Sequence, residues 1–272
     1  MHCSPIAKLN LGLNVVARRH DGYHDIETVF YPVPQLHDDL DISPVAGPAP
    51  VMHLTVEGDI HTGPTQDNLV VRAYRLMARD FDLPPVEAHL LKRIPAQAGL
   101  GGGSSDAAAT LCLLNTMFAL QLSDDDLRRY ALRIGADCPF FIDPRPAYAE
   151  GVGERLTPIA LDLSRYHIAI LKPPFAVSTK IAFNGVSIGQ PEHNVRDIVS
   201  QPVETWRGRL HNDFETTVFA IHNELAGIRQ RLYDMNAIYA GMSGSGSAIY
   251  ALFDEQPRGL DTAFPMCHVF VS

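Results

Sequence analysis

The sequence predicts an α+β protein in two domains, and three observations carry that prediction. Strand-like alternation fills most of the first third, helical spacing follows a glycine-rich stretch in the middle, and a strand and helix succession restarts beyond "AEGVGERLTPI". The restart sets expected domains of 1–155 and 156–272. With 272 residues, 46% hydrophobic and 19% charged, the chain can bury a large core.

The elements follow in order. "AKLNLGLNVVAR" alternates apolar with polar or small residues, "IETVFYPV" is rich in β-branched and aromatic types, and the "DGY" turn at Asp21 to Tyr23 makes the two neighbours. "VMHLTVEG" is a further strand. "DNLVVRAYRLMARDF" shifts to helical spacing, with Asp67 or Asn68 as N-cap, and "VEAHLLKRI" returns to strand. The spacing predicts a helix from Ser105 to Leu120 and a second one capped by Ser123, with Asp124, Asp125 and Asp126 as its acidic first turn rather than a metal cluster. Gly135 closes it, and "ADCPFFI" is expected to be extended. Later come a strand at "HIAILKPP", one helix over "NDFETTVFAIHNELAGIRQRLYDM", a strand with a glycine turn at "AIYAGMSGSGSAIYALF", and a final apolar "CHVFVS".

Composition excludes several function classes. A formal charge of −9 with 22 scattered basic residues does not supply a nucleic-acid surface. No signal-peptide pattern opens the chain and no apolar run approaches the roughly 20 residues of a membrane span, so a cytoplasmic protein with no membrane partner is expected. Cys3, Cys112, Cys138 and Cys267 are widely spaced, which fits reduced, packed thiols. His20 and His24 are four apart, but Asp21-Gly22 between them argues against a helical metal pair.

The stretch "PAQAGLGGGSSDAAATLCLL", Pro95 to Leu114, places bare backbone directly before a helix. Free N–H groups and the positive end of the helix dipole there suit an anion, above all phosphate. The Walker, dinucleotide and nucleophile-elbow patterns are absent. A second donor-rich loop, "GMSGSGSA" from Gly241 to Ala248, suggests a triphosphate held from both domains.

These two stretches resemble the second and third motifs of the galactokinase, homoserine kinase, mevalonate kinase and phosphomevalonate kinase (GHMP) superfamily. Within it, "SPIAKLNLGLNVVARRHDGYHDIETVF", "DNLVVRA", "GADCPFFI" and "AEGVGERLTP" resemble, in the same order, the family of kinases acting on 4-diphosphocytidyl-2-C-methyl-D-erythritol. The resemblance implies a two-domain GHMP kinase fold: an N-terminal ribosomal-protein-S5-like domain with a left-handed βαβ unit, and a C-terminal ferredoxin-like α/β sandwich with a cleft between them. It implies ATP-dependent phosphorylation of the acceptor's 2-hydroxyl, small-molecule substrates only, no nucleic acid and no obligate protein partner. The alternatives are a homoserine or mevalonate type of kinase, whose acceptor has no use for a nucleobase platform, and a nucleotide-binding regulator without catalysis.

Residue roles carry over by position. On sequence alone Asp137 is a helix-terminating aspartate and Lys8 a strand lysine that either snorkels to solvent or faces a carboxylate. The resemblance makes Asp137 the catalytic base and sets Lys8 beside it and the acceptor hydroxyl. It assigns ATP binding to Pro95, Ala96, Gln97, Ala98, Gly99, Leu100, Gly101, Gly102, Gly103, Ser104 and Ser105, with Asn68, Leu69 and Lys92 lining the nucleotide pocket. Asn10, Tyr23, His24, Thr179 and Phe183 fall to the acceptor, with Ser243, Gly244 and Ser245 bordering it from the second domain. Mg2+ is expected to shield ATP, with Ser105 as its candidate ligand. Only "DEQPRGLDTAFPMCHVFVS" follows "YALF", so the terminal helix and strand are expected to be short.

Overall fold

The alternation in "AKLNLGLNVVAR" produces the strand Ile6–Arg18, and the chain turns back into His24–His37. The turn is closed by Arg19 N–H on the Tyr23 carbonyl at 2.8 Å and by Asp21 Oδ1 accepting from Tyr23 N–H at 3.0 Å. The structure, a computed structural model, describes residues 1–47, 49–58, 64–186, 188–189, 191 and 193–272. They form two units that interleave in sequence: residues 1–8, 32–96 and 101–144 in the first, and 9–31, 97–100 and 145–272 in the second.

In the first unit, a sheet in the order His2–Cys3, Asp39–Pro44, Val86–Leu91, Met52–Glu57 presents Leu40, Ile42, Val86, Ala88 and Leu90 to a core shared with three helices. Met52–Glu57 and Val86–Leu91 are parallel, because the helix Leu69–Met77 lies in the connection between them. Asn68 is the N-cap of that helix, accepting from Val70 N–H at 3.0 Å, while Asp67 ends a short 3₁₀ turn. The next helix spans Gly102–Met117, three residues earlier than its apolar periodicity indicates, since left-handed Gly101 ends the loop and the glycines themselves enter the first turn. The third helix, Asp124–Ile134, starts on the expected Ser123, with Asp126 completing a capping box. "ADCPFFI" is not extended: Cys138–Ile142 is a 3₁₀ turn, which Pro139 initiates and the buried rings of Phe140 and Phe141 anchor.

In the second unit, one sheet runs Ile6–Arg18, His24–His37, Ala147–Glu150, Arg155–Pro158, the first two strands lending their residues 6–8 and 32–37 to the first unit. The other sheet, Tyr239–Met242, Ile249–Phe253, His167–Lys172, His268–Val271, is antiparallel throughout. Its Ala169, Leu171, Ile249 and Ala251 pack with Phe214, Val218, Leu225 and Leu232. Those last four sit on two helices, Phe214–Ile221 and Asn223–Asp234, where the pattern suggests one. His222 breaks the run at φ −124°, ψ 76°, and its ring stacks on Phe175 at 4.4 Å. The terminal elements are short, Leu260–Ala263 and His268–Val271. No helix among the described residues is long and apolar enough to cross a membrane.

Leu111 is wholly buried in the first-unit core, whereas Leu132 on the neighbouring helix is exposed. Leu111→Ala is expected to cost about 3 kcal/mol in urea unfolding, and Leu132→Ala under about 0.5 kcal/mol.

Candidate active site

Lys8 is held by a strand with large apolar neighbours, and its ammonium is almost excluded from water. Of its two open choices it takes the carboxylate: Nζ stands 3.3 Å from Asp137 Oδ2. Asp137 lies in the turn between Asp124–Ile134 and Cys138–Ile142, and its side chain remains 34% exposed. The pair therefore joins a desolvated cation to a carboxylate that solutes can reach. Gly101, at φ 73°, packs beside it, where a Cβ would come within 2.7 Å of Phe141 Cζ and 3.1 Å of Lys8 Cγ.

The helix Gly102–Met117 opens with no side-chain cap, and its first internal bond runs from Ser105 N–H to the Gly101 carbonyl at 2.9 Å. The N–H groups of Gly102, Gly103 and Ser104 consequently have no acceptor within the helix. Gly103 meets nothing closer than Leu69 Cδ1 at 3.6 Å, so the helix start is open on that side. Ser104 lies next to Gly135 and Cys138. Ser105 is buried and borders a groove of about 240 Å³ with Cys3, Ile6, Cys112 and Phe141. Burial pushes the Cys3 thiol up to about 12 and that of Cys112 up to about 11, so both are neutral packing groups.

Lys92 is clamped between two carboxylates. Its Nζ bonds Asp106 Oδ2 at 2.7 Å and also Asp38 Oδ2, with all three groups buried. Burial opposes its charge, but the two aspartates outweigh that and raise its pKa above the ordinary lysine value. Burial pushes the Asp106 carboxyl up to about 7 against the pull of Lys92, and the charge of Asp38 adds to the rise. Asp38 Oδ1 also accepts from Ile94 N–H at 2.8 Å. The ammonium presses on the helix start, since a Cβ on Gly102 would lie 3.3 Å from it. Among the sequence-assigned nucleotide residues, the Lys92 side chain is thus committed inward, and Asn68 spends its side-chain oxygen as a helix cap.

Within the second unit, Ser243 ties three segments together. Its hydroxyl, fully buried, donates to the Gly99 carbonyl at 2.8 Å and accepts Asn10 N–H at 3.0 Å. Ala248 N–H reaches the Ala98 carbonyl at 3.1 Å. The approach at Gly99 is so close that a Cβ would fall 1.9 Å from the Ser243 carbonyl oxygen, and Gln97 and Gly99 both take positive φ. Asn10 Nδ2 donates to Thr28 Oγ1 at 3.1 Å, and its Oδ1 stands 3.1 Å from where Gly244 would carry a Cβ. Elsewhere in the unit, Thr179 Oγ1 meets Ser245 Oγ at 3.0 Å, and His24 stacks on Phe183 with centroids 4.4 Å apart at 15°. Tyr23 is exposed.

Two family models match, GHMP kinases N terminal domain over residues 68–143 and GHMP kinases C terminal over 199–261. The 4-diphosphocytidyl-2-C-methyl-D-erythritol kinase of Bacteroides thetaiotaomicron is 49% identical over 254 residues, covering 93% of this chain and 92% of its own. That of Porphyromonas gingivalis is 48% identical over 261 residues, 95% of this chain and 94% of its own. The chain belongs to the 4-diphosphocytidyl-2-C-methyl-D-erythritol kinase family. The crystal structure of a 4-(cytidine 5'-diphospho)-2C-methyl-D-erythritol kinase superposes with TM-score 0.82 at 33% identity, over 100% of this chain and 98% of that one. A homoserine kinase from Cytophaga hutchinsonii shares the fold, with TM-score 0.69 at 17% identity over 98% and 94%.

For a kinase of this family, sequence reasoning overlooked Asp38, Thr28 and Asp106. A carboxylate among alanines in "SSDAAA" was the available signal for Asp106, because an acid on a buried helix face requires a cation. The glycines divide by what surrounds them. Gly99→Ala is expected to lower stability by at least about 2 kcal/mol through strain and collision with Ser243. Gly103→Ala should hold or raise the melting temperature, as alanine is the better helix former by about 1 kcal/mol. Thermal unfolding of the two variants checks the contrast.

Proposed function

We propose that the chain transfers the γ-phosphoryl group of ATP to the 2-hydroxyl of 4-diphosphocytidyl-2-C-methyl-D-erythritol, giving the 2-phosphate and ADP, a step of the methylerythritol phosphate route to isoprenoid precursors. The observation that carries this reading at the level of chemistry is the Lys8–Asp137 pair, a buried ammonium 3.3 Å from a reachable carboxylate. Asp137 accepts the hydroxyl proton as the oxygen forms its bond to the γ-phosphorus and the bond to the bridging oxygen of ADP breaks. Lys8 stabilises the negative charge that develops on the attacking oxygen. Phosphoryl transfer otherwise asks for positioning, which the uncapped N–H groups of Gly102, Gly103 and Ser104 and the loop from Pro95 supply to the phosphates.

In this reading residues 1–155 provide the phosphate loop and catalytic pair, and 156–272 the third glycine motif and further acceptor contacts. Tyr23, His24 and Phe183 receive the cytosine, and the His24–Phe183 stack parts to admit the ring. Thr179, Ser245, Gly244 and Asn10 hold the rest of the acceptor, and Asn68 and Leu69 line the adenosine, while Lys92 serves from behind by holding the start of the helix Gly102–Met117 through Asp106. Magnesium enters as the counter-ion of ATP, with Ser105 its candidate ligand from this chain. No group of three or more His, Cys, Asp or Glu stands together among the described residues to hold a metal. The reaction belongs to the cytoplasm.

ADP release measured in parallel with the cytidyl acceptor, homoserine and mevalonate is expected only with the first, and release with either of the others alone would sink the reading. Lys8→Ala and Asp137→Ala are each expected to lower kcat by about 100-fold or more with unchanged melting temperature. Burial, with the charge of Arg18 added, lowers the pKa of His24 and keeps it neutral at and above neutrality. The acceptor KM should therefore be flat above neutral pH and rise on acidification as the ring protonates, with His24→Gln removing that rise.

A further inference from the structure

Lys172 closes the strand His167–Lys172 with a buried ammonium that enters no ion pair among the described residues. Its Nζ donates to the carbonyls of Pro173 and Phe175, both at 2.7 Å. The same Phe175 oxygen accepts from Ser247 Oγ at 2.7 Å. Four residues further, Thr179 Oγ1 lies 3.0 Å from Ser245 Oγ. The Pro173–Thr179 stretch is thus tied twice to the third glycine motif, once through a carbonyl that receives two donors and once through a hydroxyl. It runs straight into the helix Thr179–Asn184, whose Phe183 lies face to face with His24 and edge-on to Phe214 at 4.7 Å.

A buried cation that meets only neutral carbonyls carries a desolvation penalty that a methionine of similar length would not. Burial accordingly lowers the lysine's pKa, and Cys267 offers little against that. What the ammonium does here, and an apolar side chain cannot, is hold two nearby backbone carbonyls, those of Pro173 and Phe175, at once. We propose that Lys172 is a positioning residue for the acceptor: by holding the Pro173 and Phe175 carbonyls it sets where Thr179 and Phe183 stand. This rests on the reading of Thr179 and Phe183 as acceptor residues. Lys172 touches no reacting atom, so its influence falls on acceptor binding and leaves ATP binding and the chemical step alone.

The test compares wild type, Lys172→Met, Ser247→Ala and the double variant in steady-state kinetics with ATP and the cytidyl acceptor, with melting temperatures alongside. Lys172→Met is expected to raise the acceptor KM about tenfold, the effect of losing hydrogen bonds from a charged donor, with the ATP KM and kcat within about twofold. Ser247→Ala should raise the same KM by a smaller factor, and the double variant by less than the product, because both donors serve one oxygen. Equal changes in both KM values, a fall in melting temperature with no split between substrates, or independent effects of the two substitutions would overturn the inference. Should Lys172→Met fail to fold, Ser247→Ala decides alone: an acceptor KM equal to wild type overturns it. A wild-type protein without activity on the cytidyl acceptor removes the functional reading instead, and that outcome is visible before any variant is made.

Discussion

Taking a lysine ammonium out of water is costly unless carboxylates stand close by, and the arrangement of the first unit follows from how Asp38 and Asp106 meet Lys92. Its two aspartates come from the single residue linking the strands His24–His37 and Asp39–Pro44 and from the interior of the helix Gly102–Met117, so one cation fixes sheet and helix together. Removing the lysine would leave two buried carboxylates without their cation, which is among the costlier defects a core can hold. The clamp also dictates a glycine. A Cβ on Gly102 would lie 2.9 Å from Ile94 Cγ2 and 3.3 Å from the ammonium, so the helix starts there most easily without a side chain. The bare backbone at this helix start is therefore shaped from within the first unit.

The second unit solves a comparable problem with neutral groups. Ser243 is a buried hydroxyl used as both donor and acceptor, which satisfies it fully and joins the glycine-rich loop at Gly99 to the strand bearing Asn10. Asn212 supports the motif from behind, donating to the carbonyls of Met242 and Gly244 at 2.9 and 2.8 Å. The serines at 243, 245 and 247 each hold a different partner, so a loop that reads as flexible in composition is strongly constrained.

What was legible in the sequence was local. The capping box at Ser123, the Asp21-Gly22 turn, the strand carrying Lys8 and the uncapped helix start follow from rules that span a few residues. What was hidden depends on partners far along the chain. Gly99 needs to be glycine because of a carbonyl 144 residues away. The break at His222 answers to the ring of Phe175, and the strands Ala147–Glu150 and Arg155–Pro158 pair through register rather than through any strong alternation of their own. At the site, the residues alone left Asp137 a helix-terminating aspartate and only the family resemblance set it beside Lys8, and neither could separate Lys92, committed inward, from a lysine turned toward a nucleotide.

The interleaving of the two units bears on how the protein is made. A chain leaving the ribosome has all of its first unit once residue 144 has emerged, yet the strand that follows Lys8 belongs to a sheet whose remaining strands, Ala147–Glu150 and Arg155–Pro158, come later still. Leu9–Tyr31, apolar along much of its length, is thus synthesised early and finds its partners late. During synthesis this hairpin is a waiting edge, and the interval before its third strand arrives is when the nascent chain is most exposed to pairing with the wrong neighbour.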